Sequence, residues 1–129
     1  MTRSVVLAAS LLLGACGTET DDRPQTLAFV NEAILGPSCG TANCHSSYTG
    51  ADNYSFGTID EAQASLGGGA VIPTAPDDSL LYQVLVSPGG DGAPKQMPRD
   101  QPLANDDIQL IRDWITNGAE GLVVDLVDL

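Results

Sequence analysis

The residues best able to do chemistry lie in one short run, Ser38-Cys39-Gly40-Thr41-Ala42-Asn43-Cys44-His45. It gathers two of the three cysteines and the single histidine of a 129-residue chain. Three chemistries fit. A disulfide between Cys39 and Cys44 would close a short loop, the usual fate of two cysteines in an exported protein. A zinc ion would take both thiolates and the imidazole, but a structural site needs a fourth ligand, and only a carboxylate is left to supply it. Covalent haem attachment also uses a cysteine followed directly by histidine: thioether bonds fix the porphyrin edge, and the adjacent imidazole ligates the iron.

Haem attachment usually places two residues between the cysteines, and here there are four. Gly40, Thr41, Ala42 and Asn43 are small, and two of them tolerate left-handed backbone. The insert can therefore bulge outward while the cysteines keep their separation. A haem with both axial positions filled also needs a second ligand far along the chain, and Met97 is the only methionine besides Met1. It sits in Ala93-Pro94-Lys95-Gln96-Met97-Pro98-Arg99, where Pro98 biases it to an extended backbone that can project sulfur inward. A methionine capping the core edge is the plain alternative.

These residues need a compartment and a frame. Residues 1–15 carry Arg3, an apolar stretch from Val5 to Leu13, and then Leu13-Gly14-Ala15-Cys16. This is a secretion signal, too short to span a bilayer. Its end resembles the lipobox of bacterial lipoproteins, which implies that Cys16 is acylated and becomes the mature N-terminus. Gly17, in place of an aspartate retention signal, points to the outer membrane. Residues 16–25 then form the acylated N-terminus and a polar tether, residues 26–121 one compact domain, and residues 122–129 a C-terminal tail.

The formal charge is -12, and it becomes more negative once Arg3 leaves with the signal. Such a surface repels nucleic-acid phosphates and favours a protein partner with a basic docking face. With 14 glycines, 8 prolines and only 5% aromatic residues, the domain would gain from a large apolar body to pack around.

The pattern is all-α, with helices separated by long Gly/Pro loops. Thr26–Leu35 places Leu27, Val30 and Ile34 on one face, and Gly36-Pro37 predicts its end. Thr58-Ile59-Asp60-Glu61 is a capping box that opens a helix through Leu66. Pro76-Asp77-Asp78 precedes a helix over Ser79–Val86, with acidic residues at its positive end. A loop over Ser87–Leu103 follows, of a length that is uncommon unless it serves a site. Asn105–Asn117 closes the domain with Ile108, Ile111 and Ile115 in one stripe, widened by Leu110 and Trp114. Trp114 is expected in the helix interface, with an indole bond to a haem propionate as the alternative. Arg99 and Arg112 are candidate propionate partners.

Taken together, Cys39 to His45, Pro76-Asp77-Asp78-Ser79-Leu80-Leu81-Tyr82, Met97-Pro98, Pro102-Leu103-Ala104-Asn105-Asp106-Asp107-Ile108 and Ile111-Arg112-Asp113-Trp114-Ile115-Thr116-Asn117-Gly118-Ala119 resemble the planctomycete-type cytochrome c domains. The resemblance implies a small class I-like cytochrome c fold around one covalently attached haem c, with the helix before the motif crossing the final helix. It also implies His45 as proximal and Met97 as distal iron ligand, with Cys39 and Cys44 carrying the thioethers. The expected function is a monohaem electron carrier, lipid-anchored through Cys16 and facing the periplasm, serving a redox partner and catalysing no reaction of its own. The alternative is a disulfide-stapled envelope lipoprotein acting as a non-redox interaction module.

Overall fold

The computed structural model describes residues 20–123, and every regular element among them is helical. No helix there is long and apolar enough to cross a membrane. The expected signal, the Cys16 lipidation site and the end of the tail, residues 124–129, lie outside the described residues.

The chain enters helix α1 (Leu27–Val30) at Thr26, whose hydroxyl accepts the Phe29 N–H at 3.3 Å. The helical path does not stop at Gly36-Pro37 as the sequence predicts. It widens into a π-helical turn over Asn31–Leu35 and continues as α2 (Gly36–Cys39). The physical reason lies in Pro37, which offers no N–H and whose ring crowds the carbonyl four residues back. In the widened turn the Gly36 N–H reaches the Asn31 carbonyl, five residues back, which opens the ladder where the proline must fit. The consequence is that the extra turn carries Cys39 onto the core.

Gly40 ends α2 with its N–H shared between the Leu35 and Gly36 carbonyls, at 2.9 and 3.0 Å. A β-carbon there would stand 2.7 Å from the Gly36 carbonyl and 3.3 Å from that of Phe56, so the segment before α3 can pass close against the helix end. Helix α3 (Ile59–Gly67) opens with the predicted capping box and buries Ala62 and Leu66. A single 3-10 turn at Pro76–Asp78 then leads to α4 (Leu80–Val86), which buries Leu81 and Leu85. Between them Ser79 is fully buried. Its hydroxyl accepts the Ile72 N–H at 2.9 Å and donates to the Ala75 carbonyl at 2.8 Å, which fixes the approach to α4.

Helix α5 (Asn105–Thr116) buries Leu110, Ile111, Trp114 and Ile115 against α4 and the rest of the core. Of the stripe predicted from its spacing, Ile111 and Ile115 are buried with Leu110 and Trp114, while Ile108 is half-buried at its start. The Trp114 indole donates to the Glu120 carbonyl at 3.0 Å, so it belongs to the helix interface and is committed within the protein. The same carbonyl accepts the Leu27 N–H at 2.9 Å, tying the start of α1 to the turn after α5. The inner part of the expected tether is also fastened. Arg23 forms ion pairs with Asp21 and Asp107, and Gln25 accepts a bond from Asn117 at 2.6 Å. The acidic first turn of α5 supplies the charge that holds Arg23 there, which a purely polar linker would lack.

Candidate functional site

The motif after α2 folds back on its own helix. The His45 N–H donates to the Cys39 carbonyl at 3.0 Å, which draws the two ends of the insert together. Thr41, Ala42 and Asn43 are consequently pushed out into solvent. The His45 carbonyl accepts the Phe56 N–H at 2.8 Å, and Ala51 donates to the Cys44 carbonyl at 3.1 Å. The histidine is thus fixed on both sides of its own backbone.

Its ring is fixed as well. Nδ1 lies 2.9 Å from the Ala51 carbonyl and 3.2 Å from that of Tyr54. A carbonyl oxygen can only accept, so Nδ1 carries a proton, and in the neutral ring Nε2 keeps the lone pair. Metal-binding histidines are commonly oriented in this way, with the second nitrogen held by a backbone carbonyl. The edges of Phe56 and Tyr54 confine the ring at centroid distances of 5.7 and 6.1 Å.

His45 lines a cavity of about 340 Å³. Cys39 and Phe56 share its wall, Leu66 and Ala70 come from the end of α3 and the turn beyond it, and Leu81, Val84 and Leu85 come from α4. The remaining wall is the long loop, which contributes Lys95 and Met97. Met97 is held there by its N–H, which donates to the Val84 carbonyl at 2.9 Å. A single apolar cavity therefore receives an imidazole with an open nitrogen and a thioether from residues more than fifty positions apart. A mostly apolar concavity with a few placed polar groups is the usual form of a cofactor site.

The two motif cysteines differ. Cys39 lines the cavity, and its thiol is pushed up to about 11, chiefly by burial and secondarily by the nearby Cys44. That environment disfavours a thiolate and suits a neutral sulfur. Cys44 is exposed and is not part of the wall. The two are not bonded to one another. Among the described residues no three His, Cys, Asp or Glu side chains gather as a metal-binding group.

The structure thus brings Cys39, His45 and Met97 to one cavity, leaves Cys44 at its outer side, and contains no description of Cys16. No protein-family model, curated protein or solved structure matches this chain. The site must be judged on its own chemistry.

Several contributors are not evident from the motif. Ala51 and Tyr54 act through carbonyl oxygens, which no side-chain pattern reveals. Phe56 has a weak signal, as an aromatic just after the motif in an aromatic-poor chain. Asp52 and Lys95 supply the ionisable groups of the wall apart from the motif residues and Tyr54. Arg112 is engaged elsewhere, 3.6 Å from Asp77 and over the Tyr82 ring.

Proposed function

We propose that this protein is a monohaem c-type cytochrome, with a domain like the planctomycete-type cytochrome c domains, that transfers electrons in the cell envelope. The observation that carries this reading is the meeting of His45 and Met97 on one apolar cavity with Cys39 in its wall. Bound there, haem c supplies a one-electron iron couple. The chain supplies the rest. His45 offers Nε2 because Ala51 and Tyr54 hold its Nδ1 proton, and Met97 offers sulfur from the opposite part of the sequence. His45 and Met97 would both hold the iron, and a group held by two protein ligands would serve electron transfer rather than binding of oxygen or substrate. A thioether ligand favours the reduced state and raises the potential, and the Leu- and Val-rich walls limit water near the iron.

Cys39 and Cys44 are the attachment residues of this reading. The buried Cys39 thiol stands in the cavity wall, whereas Cys44 must turn inward for a second thioether. The closed Cys39–His45 bond supports attachment despite the long insert, because the four extra residues are accommodated outside the site. The lipobox-like end of the leader supports a lipid anchor at Cys16, with the domain facing the periplasm from the outer membrane. A net charge of -12 suits a redox partner with a basic docking face.

The test is the absorption spectrum of the chain produced with a cytochrome c maturation system, oxidised and then reduced with dithionite, followed by acid-acetone extraction. Sharp reduced bands that stay with the polypeptide are the expected result. A colourless protein, or haem that extracts completely, overturns covalent attachment.

A further inference from the structure

The haem cavity is not the only concavity on the long loop. A shallower one of about 430 Å³ is lined by Gly89, Gly90, Ala93, Lys95, Gln96 and Arg99. Lys95 lines both, so the two hollows adjoin at this residue. We infer that Lys95 and Arg99 form a carboxylate subsite that takes the propionate arms of the porphyrin. This inference rests on the haem reading above.

Charge singles out these two residues. The described part of the chain contains four cations, Arg23, Lys95, Arg99 and Arg112. Arg23 is spent on Asp21 and Asp107, and Arg112 on Asp77 and the Tyr82 ring. Lys95 and Arg99 enter no ion pair among the described residues. Seventeen acidic residues against five basic ones make two unpaired cations within five positions an unusual feature of this surface. Asp91 and Asp100 share the loop, but neither is within ion-pair reach, and Asp100 accepts the Gln101 N–H.

Orientation follows from the same accounting. A porphyrin brings two carboxylates to a strongly acidic protein, and the cavity wall has one acid, Asp52, on the His45 side and one cation, Lys95, on the Met97 side. Repulsion from Asp52 and attraction to Lys95 both direct the propionates toward the long loop. The thioether edge then falls to Cys39, on another wall. The backbone on either side of Lys95 is fastened: its neighbour Pro94 accepts a bond from the Ser87 hydroxyl, and Met97, two residues on, donates to Val84. Lysine and arginine side chains form charge-assisted bonds to carboxylates.

The experiment compares full-length holoprotein with K95Q, R99Q, the K95Q/R99Q double variant, K95R, and R112Q as a control that also removes one cation. Two readouts are used: the midpoint potential by spectroelectrochemical titration at low and high salt, and the propionate bending mode in resonance Raman spectra. A cation beside the propionates disfavours the more positive ferric state, so K95Q and R99Q should each lower the potential. The double variant should lower it most and shift the propionate mode, and K95R should retain the wild-type mode. If the double variant leaves both readouts where R112Q leaves them, the subsite is overturned while the haem reading stands. A wild-type chain without haem overturns both.

Discussion

The two segments that line the cavity, one bearing His45 and one bearing Met97, are built in different ways. The His45 wall, from Cys39 to Phe56, is bound at nearly every turn: His45 to Cys39, Ala51 to Cys44, Phe56 to His45, and the ring itself to Ala51 and Tyr54. The Met97 wall runs from Ser87 to Leu103 without a helix. Its fastenings are chiefly the Met97 N–H on Val84 and the Ser87 hydroxyl on Pro94. One wall defines the position of its ligand, and the other brings its ligand to a site already defined. The difference assigns separate consequences to the two proposed ligands, because losing the first should remove the site and losing the second should only change it.

Removal of His45 is the severest test. His45→Ala takes away the open nitrogen and the ring's bonds to the Ala51 and Tyr54 carbonyls, of which that of Ala51 still accepts the Tyr54 N–H. The expected outcome is loss of covalently held haem, or haem without a low-spin spectrum, measured by the reduced absorption bands. A His45→Ala protein with an unchanged spectrum would remove the imidazole from the proposal. Met97→Ala should be milder: haem remains attached, the sulfur-to-iron absorption band disappears and the potential falls, as expected for loss of thioether ligation. Equal damage from both variants would show that the walls are not distinct in the way their bonding implies.

Gly40 tests whether the His45 wall depends on close backbone approach. In Gly40→Ala the new methyl would meet the Gly36 carbonyl at 2.7 Å and the Phe56 carbonyl at 3.3 Å, and both are backbone atoms that cannot swing aside. Overpacking of this kind costs about 1–3 kcal/mol. In a domain of this size that is a drop in Tm of roughly 4–8 °C for each kcal/mol. The same substitution at Gly90, where nothing lies within 4 Å of the added atom, tests the other wall. Its positive φ of 108° carries a strain of its own, so the expected cost there is backbone strain without collision.

Much of the frame could be read from residue order, and the reasons are local. The α5 stripe and the Thr58–Glu61 capping box depend on neighbours within one or two helical turns, and both formed as their spacing implied. The end of the first helix was not legible. Gly36-Pro37 normally stops a helix, and only the π-helical widening at Asn31–Leu35 admits the proline. The candidate ligands were visible as residue types, but their meeting depends on tertiary placement. The Val84 carbonyl that holds Met97 is an atom every residue possesses. For Cys39 and Cys44 the sequence offers two equivalent thiols, and packing separates them into a buried wall residue and an exposed one.

The smallest expected effect concerns the outer support of the His45 wall, and its sign depends on pH. Glu61 accepts the Ser47 hydroxyl at 2.7 Å, the Ser55 hydroxyl at 3.0 Å and the Thr58 N–H at 3.0 Å, so one carboxylate pins the motif loop to the start of α3. These bonds, the one from Ser47 foremost, hold its carboxyl below the ordinary carboxylate range. A group whose folded value is depressed binds a proton more readily in the unfolded chain, so stability rises with pH through that interval. The contribution is therefore complete above the ordinary carboxylate range and is lost as pH falls through the depressed folded value. Glu61→Gln should lower Tm slightly at neutral pH and converge with wild type in acid, because both chains then carry an uncharged side chain. Thermal melts across that interval measure the gap. A gap that stays constant with pH would mean that Glu61 supports the loop by shape alone, and the His45 wall would then owe its order to its backbone bonds.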